Sequence, residues 1–518
     1  MTVPTPSPRS AGAPSEASGR VDPAMSEAPP AGSAIGRPVV ALTAGRVRGT
    51  REGALDRFLG IPYAAPPVGD LRFRAPEAAP AWEGERDASA FGPTAPQNPY
   101  GAHVAKYLPT VEIPGDDILT VNVWTPSGRA ADAALPVLVF VHGGALTRGS
   151  AALPAYDGER FARHGIVYVS VQYRLGQEGF SVLDDVPQNL GVLDQQAALR
   201  WVRREIAAFG GDSARVTVMG HSAGANTLTA LLALPHAKEL FDRAILQSGP
   251  LIAQPPKKAG RMTREIAKRL KIAVSKAGFA ATEPAALVAQ QTEIAAGSGS
   301  PLGRGPSVAL VVGGEVIPRN PLDALLAGAG SGIPVLIGST SEEYRLWLVP
   351  TGAVQRVSRP ALTFARLATR VPARVVRAHR TRRPGATPGE VLGEVIGDIL
   401  LRAPITRFAD SRTTGGAPTW VYEFRWRSPV DGLGAAHGME LGFVFDRLGA
   451  PDAVALGGTD GPQALADAMH GAWVSFVADG DPGWEAWSAR RPVQAFDADG
   501  GHIDYAPRQD ELDGLPEG

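Results

Sequence analysis

The chain has 518 residues, a formal net charge of −1 and no cysteine. The lack of cysteine excludes disulfides, thiolate metal sites and cysteine nucleophiles together, and it suits a reducing cytoplasm. The near-zero charge gives no reason to expect nucleic acid or an anionic membrane as partner. With 44% hydrophobic residues the chain can bury a large core, and no apolar run reaches the length of a membrane span.

In chain order, residues 1–37 are rich in Pro, Ala, Ser and Gly and hold few large apolar residues. Such a segment buries too little to offset its ordering entropy and is predicted to be disordered; it has neither the basic start nor the apolar centre of a signal peptide. Order is expected to begin at Val39–Leu42, with Val47 in a second short strand. The run Phe58 to Gly69 contains Pro62, Pro66 and Pro67, which exclude a helix, and reads as an ordered loop. Leu119–Trp124 alternates as a strand. Pro136–Val141 is continuously apolar and reads as a central strand ending in His142-Gly143-Gly144-Ala145; Ile166–Val171 is another. Leu199, Val202, Ile206 and Phe209 fall at helical spacing, stopped by Gly210-Gly211. The strand Val216–Met219 leads through Gly220-His221-Ser222-Ala223-Gly224 into a helix over Ala225–Leu234. Further strands are expected at Arg243–Leu246, Val335–Ile337 and Val421–Trp426. Arg366, Arg370, Arg374 and Arg377 share one helical face, read as a solvated surface. Strands alternating with helices imply an α/β fold, a mostly parallel sheet covered on both faces. One domain would span 38–507, followed by an acidic tail, 508–518, that frays.

Gly-x-Ser-x-Gly between a strand and a helix is a sharp turn that lifts the serine hydroxyl off the sheet edge. The glycines let strand and helix pass where a Cβ would clash, and the helix N-terminus favours developing negative charge. A serine hydroxyl needs a base within hydrogen-bond reach and a third group to orient that base. Among the nine histidines, His221 lies beside the serine, and on a sharp turn its side chain is expected to point away. His142 precedes the glycine loop and supports it, and His470 lies in a helical stretch as a structural residue. His437, in the small-residue loop Gly434-Ala435-Ala436-His437-Gly438-Met439-Glu440, is the favoured base. The acid is Glu342 or Glu343, just after the strand ending at Gly338; the residues by themselves leave both open. The loop His142–Ala145 exposes backbone N–H groups beside a central strand and is the expected oxyanion site.

Together these segments resemble the type-B carboxylesterases, the family of cholinesterases and bacterial para-nitrobenzyl esterases, from about Val39 to Phe496. The resemblance is carried by the serine motif and by Phe58-Leu59-Gly60-Ile61-Pro62-Tyr63-Ala64, Leu71-Arg72-Phe73, Asn122-Val123-Trp124-Thr125-Pro126 and Tyr173-Arg174-Leu175-Gly176. Leu193-Asp194-Gln195, Phe209-Gly210-Gly211-Asp212, Gln247-Ser248-Gly249 and Gly480-Asp481-Pro482 continue it in the family's order. It implies an α/β-hydrolase fold and a triad of Ser222, Glu343 and His437, since Gly338 to Glu343 matches the family's acid motif. It further implies oxyanion donors on Gly144, Ala145 and Ala223, with Gly143 and Glu440 in support, no metal and no cofactor.

The expected activity is hydrolysis of a small-molecule carboxylic ester through an acyl-enzyme. Amide or carbamate hydrolysis would use the same groups, and a non-catalytic adhesion protein on this scaffold would usually have lost one of them. Four departures stand out. His221 replaces the family's usual Glu, Gln172 replaces an Asn, Leu146 stands where an aromatic is common, and Ile118 where a disulfide cysteine is expected. Pocket walls are expected from loops within 100–114, 250–305 and 344–365, which the motifs leave free along with the oligomeric state.

Overall fold

In a computed structural model of the chain, residues 36–130, 132–297 and 306–516 are described. The segment expected to be disordered, 1–37, lies almost wholly outside them. The main sheet is built from β1 (Thr50–Glu52), β2 (Leu55–Pro62), β3 (Thr120–Pro126), β4 (Leu135–Val141), β5 (Val167–Val171), β6 (Gly211–His221), β7 (Arg243–Gln247), β8 (Val335–Thr340), β9 (Thr419–Phe424), β10 (Pro492–Asp497) and β11 (Gly500–Tyr505). Their spatial order is β11-β10-β9-β8-β7-β6-β4-β5-β3-β2-β1. The run from β10 to β5 is parallel, with antiparallel strands at both edges.

Side chains alternate across each strand, so the central strands feed two cores. Val137, Val139 and Val141 of β4 join Val218 of β6, Val202 and Leu228 on one face. Leu138 and Phe140 join Met219, Trp473 and Phe476 on the other. The helices Leu190–Glu205 and Ala223–Leu232 cover the first face and Gln463–Asp479 the second. Each such side chain contributes roughly 1.5–3 kcal/mol by leaving water, and burial on both faces is why β4 is apolar throughout and β5 nearly so, its one hydroxyl residue, Ser170, being satisfied by Asn122.

Two motifs of the resemblance meet in a buried ion pair. Arg174 donates to Asp194 through Nε (2.8 Å) and Nη2 (2.6 Å), with side-chain exposures of 1% and 0%. The bidentate geometry is what lets two charges remain in the core. Sequence and structure differ at three places in the fold. Arg366, Arg370, Arg374 and Arg377, expected on one helical face, are divided between the helices Arg359–Ala368 and Ala373–Arg382, because Arg370 turns to φ 57° and Pro372 starts a new helix. Phe58–Pro62, expected as loop, is part of strand β2, which pairs with β3; Pro62 ends the strand, where a missing N–H costs little. The tail does not fray at Gln509–Leu512. That turn is helical, and Glu511 is fully buried, accepting from Arg383 (2.6 Å) and Arg402 (3.0 Å). Charge complementarity with the arginine-rich helices anchors it, a tertiary effect invisible in the tail's own composition.

Candidate active site

The parallel register brings the C-terminal ends of four strands level. Val141 of β4 pairs with Gly220 of β6, and Gln247 of β7 pairs with both His221 and Gly338. Ser222 follows β6 directly and sits at φ 55°, ψ −119° before the helix Ala223–Leu232. That conformation is strained for a side chain and costs on the order of 1–3 kcal/mol. It is held by Ser222 N donating to Gln247 O (2.8 Å) and Asn226 N donating to Ser222 O (3.0 Å). The flanking glycines are obligatory. A Cβ on Gly220 would lie 2.6 Å from the Gly224 carbonyl carbon, and one on Gly224 would lie 2.1 Å from Val141 O.

The His437 loop folds back over the sheet edge, and the ring's Nδ1 is hydrogen-bonded to Glu343 Oε2. The other oxygen of Glu343 accepts from Ser248 Oγ (2.6 Å) and Thr340 N (2.8 Å). Glu342 faces elsewhere. Its Oε1 accepts from Arg345 (2.8 Å) and Arg427 (2.6 Å), and its Oε2 from Ala435 N (3.0 Å). The two carboxylates that sequence physics could not separate are thus turned to opposite partners. Burial opposes a charge on His437, but the adjacent carboxylate of Glu343 outweighs it and raises the imidazole above its ordinary value.

Glu440 lies behind, fully buried. It accepts weakly from Ser248 Oγ (3.4 Å) and is 4.0 Å from His221 Nε2. Burial, then the neighbouring charge of Glu343, push it up to about 8. His221 does not point away from the site, as its place in the turn suggested. Its ring lies against that of His437, centroids 4.7 Å apart, and among the described residues its Nε2 has no hydrogen-bond partner. Burial, and the nearby His437, hold it well below the usual histidine range, so it is neutral. Ser248, which the motif Gln247-Ser248-Gly249 flagged without a role, links the two carboxylates.

Beside the serine runs the loop after β4. A Cβ on Gly143 would come within 2.9 Å of Ser222 Cβ, so that position must be glycine. Gly144 and Ala145 have φ of 111° and 56°. Among the described residues, the N–H groups of Gly144, Ala145 and Ala223 donate to no protein acceptor. His142 supports the loop as expected: Nδ1 is 2.8 Å from Gly143 O and the ring stacks on Tyr173. Burial pushes His142 down to about 4. Gln172 serves the next turn, accepting from Ala151 N and donating to Ser150 Oγ. Leu146 is buried in the main core and is not among the residues lining the cleft. His470 is structural, with Nδ1 2.8 Å from Val444 O.

Ser222 and His437 open into a cleft of about 930 Å³, part of it open solvent. Its walls are Leu108, Val111, Tyr156, Trp347, Met439 and Leu456, with others of the same character. Leu108, Val111 and Trp347 come from the expected stretches 100–114 and 344–365, and none comes from 250–297 within the third; Tyr156 comes from the segment 149–156 after β4. Residues 438–456 stand there instead, a segment placed over the serine because it continues from the His437 loop. The cleft lining contains no lysine or arginine, and its one acid, Asp452, accepts from Ala155 N (3.0 Å).

This fold and cleft belong to a defined class: the model of the Carboxylesterase family matches residues 36–499, and the chain belongs to that family. It is a carboxylesterase. Among its relatives, the para-nitrobenzyl esterase of Bacillus subtilis is 35% identical over 471 residues, covering 87% of this chain and 92% of the relative. The phenmedipham hydrolase of Pseudarthrobacter oxydans is 36% identical over 462 residues, 86% and 91% of the two chains. Among solved structures, the Geobacillus stearothermophilus carboxylesterase Est55 superposes with a TM-score of 0.82 at 35% identity, covering 93% of this chain and all of that one. No helix among the described residues is long and apolar enough to cross a membrane.

Proposed function

We propose that the chain hydrolyses small, neutral carboxylic esters with Ser222 as nucleophile, His437 as base and Glu343 as its orienting acid. Ser222 Oγ attacks the ester carbonyl while His437 Nε2 takes its proton. Glu343 fixes the tautomer through Nδ1 and stabilises the imidazolium. The N–H groups of Gly144, Ala145 and Ala223 receive the carbonyl oxygen as it becomes an oxyanion. His437 then returns the proton to the departing alcohol. Water, deprotonated by the same ring, attacks the acyl-enzyme and regenerates Ser222. Gly143 lets the loop approach the serine, and Glu440 braces the acid through Ser248.

The observation that carries this reading is the contact of His437 with Glu343 at the edge of the cleft that Ser222 lines, while Glu342 is spent on two arginines. An apolar cleft without lysine or arginine supports neutral acyl and alcohol groups rather than anionic ones. The test is a burst of chromogenic alcohol from a para-nitrophenyl ester together with stoichiometric labelling by a serine-directed phosphonate. Both should vanish in Ser222→Ala, with melting unchanged. Turnover surviving in the purified variant would refute the assignment.

A further inference from the structure

The 46 residues from 344 to 389 hold ten arginines and neither aspartate nor glutamate, in a chain whose charges as a whole nearly cancel. They begin on the cleft wall at Leu346 and Trp347 and continue through two longer helices, Arg359–Ala368 and Ala373–Arg382. Both helices bury their inner faces in a small core of their own, where Leu362, Val375 and Val376 meet Val391 and Val395 of the helix Pro388–Gly397. Their outer faces are therefore left to solvent. Phe364 and Leu367 lie one turn apart on the first, 67% and 60% exposed, more than any other large apolar side chain among the described residues. Arg359 and Arg366 flank them. Arg374, Arg377 and Arg380 follow along the outer face of the second helix.

Only three of these arginines are consumed internally. Arg345 is paired with Glu342 and Glu390, and Arg382 and Arg383 with Asp510, Glu511 and Glu394. Arg359, Arg366, Arg370, Arg374, Arg377 and Arg380 have no ion-pair partner among the described residues. Two features thus coincide: unneutralised guanidinium groups, and a projecting apolar pair on a convex helix.

We propose that this face docks the enzyme on an anionic lipid surface, with the arginines on headgroup phosphates and Phe364 and Leu367 inserted between acyl chains. The charge selects a polyanion. The apolar pair selects a lipid among polyanions, since a polynucleotide would satisfy the arginines and leave Leu367 in water. A helix with a basic flank and a protruding aromatic–aliphatic pair is the form that lies in the headgroup–acyl boundary. The surface reading as plain solvated helix accounts for the arginines but not for the exposed pair.

The experiment is flotation of the full chain with vesicles of phosphatidylcholine, with and without phosphatidylglycerol, alongside a titration with single-stranded DNA. Binding should require phosphatidylglycerol and should fall at about 0.5 M salt, where screening shortens to roughly 4 Å. Arg374→Glu/Arg377→Glu/Arg380→Glu should lower partitioning at least about tenfold, since each basic residue contributes roughly fivefold. Phe364→Ser/Leu367→Ser should also lower it severalfold. Both variants should keep the melting temperature and the hydrolysis of a water-soluble ester. Absence of binding to phosphatidylglycerol vesicles, or binding indifferent to the Phe364/Leu367 pair, would overturn the proposal. DNA binding that depends on the arginines alone would reassign the face to nucleic acid.

Discussion

Replacing Glu440 by Gln should stabilise the protein, and increasingly so as pH rises. Glu440 is fully buried, its Oε2 is without a hydrogen-bond partner, and burial together with Glu343 pushes it from 4.5 up to about 8. The sign follows from proton counting. Between those values the folded protein keeps a proton that the unfolded chain has released. The folded state therefore binds more protons, and stability falls with rising pH. The loss is about 1.4 kcal/mol per pH unit and about 5 kcal/mol at most, present in full above the folded value. An amide has the shape of the protonated acid and never ionises, so it removes this liability. At a typical unfolding entropy per residue, a chain of 518 residues converts that energy to a Tm gain of roughly 5 °C. The assay is thermal melting of both proteins from about pH 5 to pH 9. The gap should be near zero at the acid end and widen until about pH 8. Turnover near neutral pH should be kept, because Ser248 still donates to Glu343 at 2.6 Å. A gap that stays constant, or a variant that loses stability as pH rises, would refute the reasoning. Glu440 would then be charged in the folded protein.

Glu343→Gln should lower kcat on the order of 10⁴-fold, whereas Glu342→Gln should leave kcat nearly intact and register mainly as lost stability; steady-state kinetics of the two purified variants decides. In the proposed mechanism the neutral form of His437 is the base, and its value is raised. The acid limb of the kcat/KM profile should therefore lie above the ordinary histidine value near 6.5, with activity lost as pH falls through it. His221→Glu should remain active and move that limb further up, since a carboxylate would replace a neutral ring beside His437; a pH–rate series shows it. Ala145→Gly should leave turnover within a few-fold and raise stability by up to about 1 kcal/mol, because glycine relieves the left-handed φ of 56°. Ala145→Val, which cannot hold that φ comfortably, should displace the N–H and cost about 10² to 10³ in kcat with KM little changed.

The conformation of the Ser222 turn was legible because most of what fixes it is local. A strand, two glycines and a helix must close on each other within a few residues; a Cβ on Gly220 would meet Gly224 and Ala225 of the same turn, whereas the clash at Gly224 is with Val141 of the neighbouring strand. The central strands were legible for a similar reason: burial on both faces writes itself as an apolar run, unbroken in 136–141 and interrupted in 166–171 only by Ser170. The parallel sheet followed from the alternation of such runs with helical periodicity.

What lay beyond the residues was every relation between segments distant in the chain. Neighbours such as Glu342 and Glu343 share composition and position, and only the backbone after β8 decides that one meets His437 and the other Arg345 and Arg427. The ring of His221 against His437, the placement of 438–456 in the cleft wall and the capture of Glu511 by arginines more than a hundred residues away are of the same kind. The sequence by itself determined the elements and the chemistry they carry, because propensity, periodicity and close approach act over a few residues. The family motif had already implied Glu343; the tertiary structure supplied the contact that sets it against His437, and it alone decided how the cleft is walled and what each buried charge must bear. Those depend on desolvation and on contacts between side chains that meet only when the sheet is assembled.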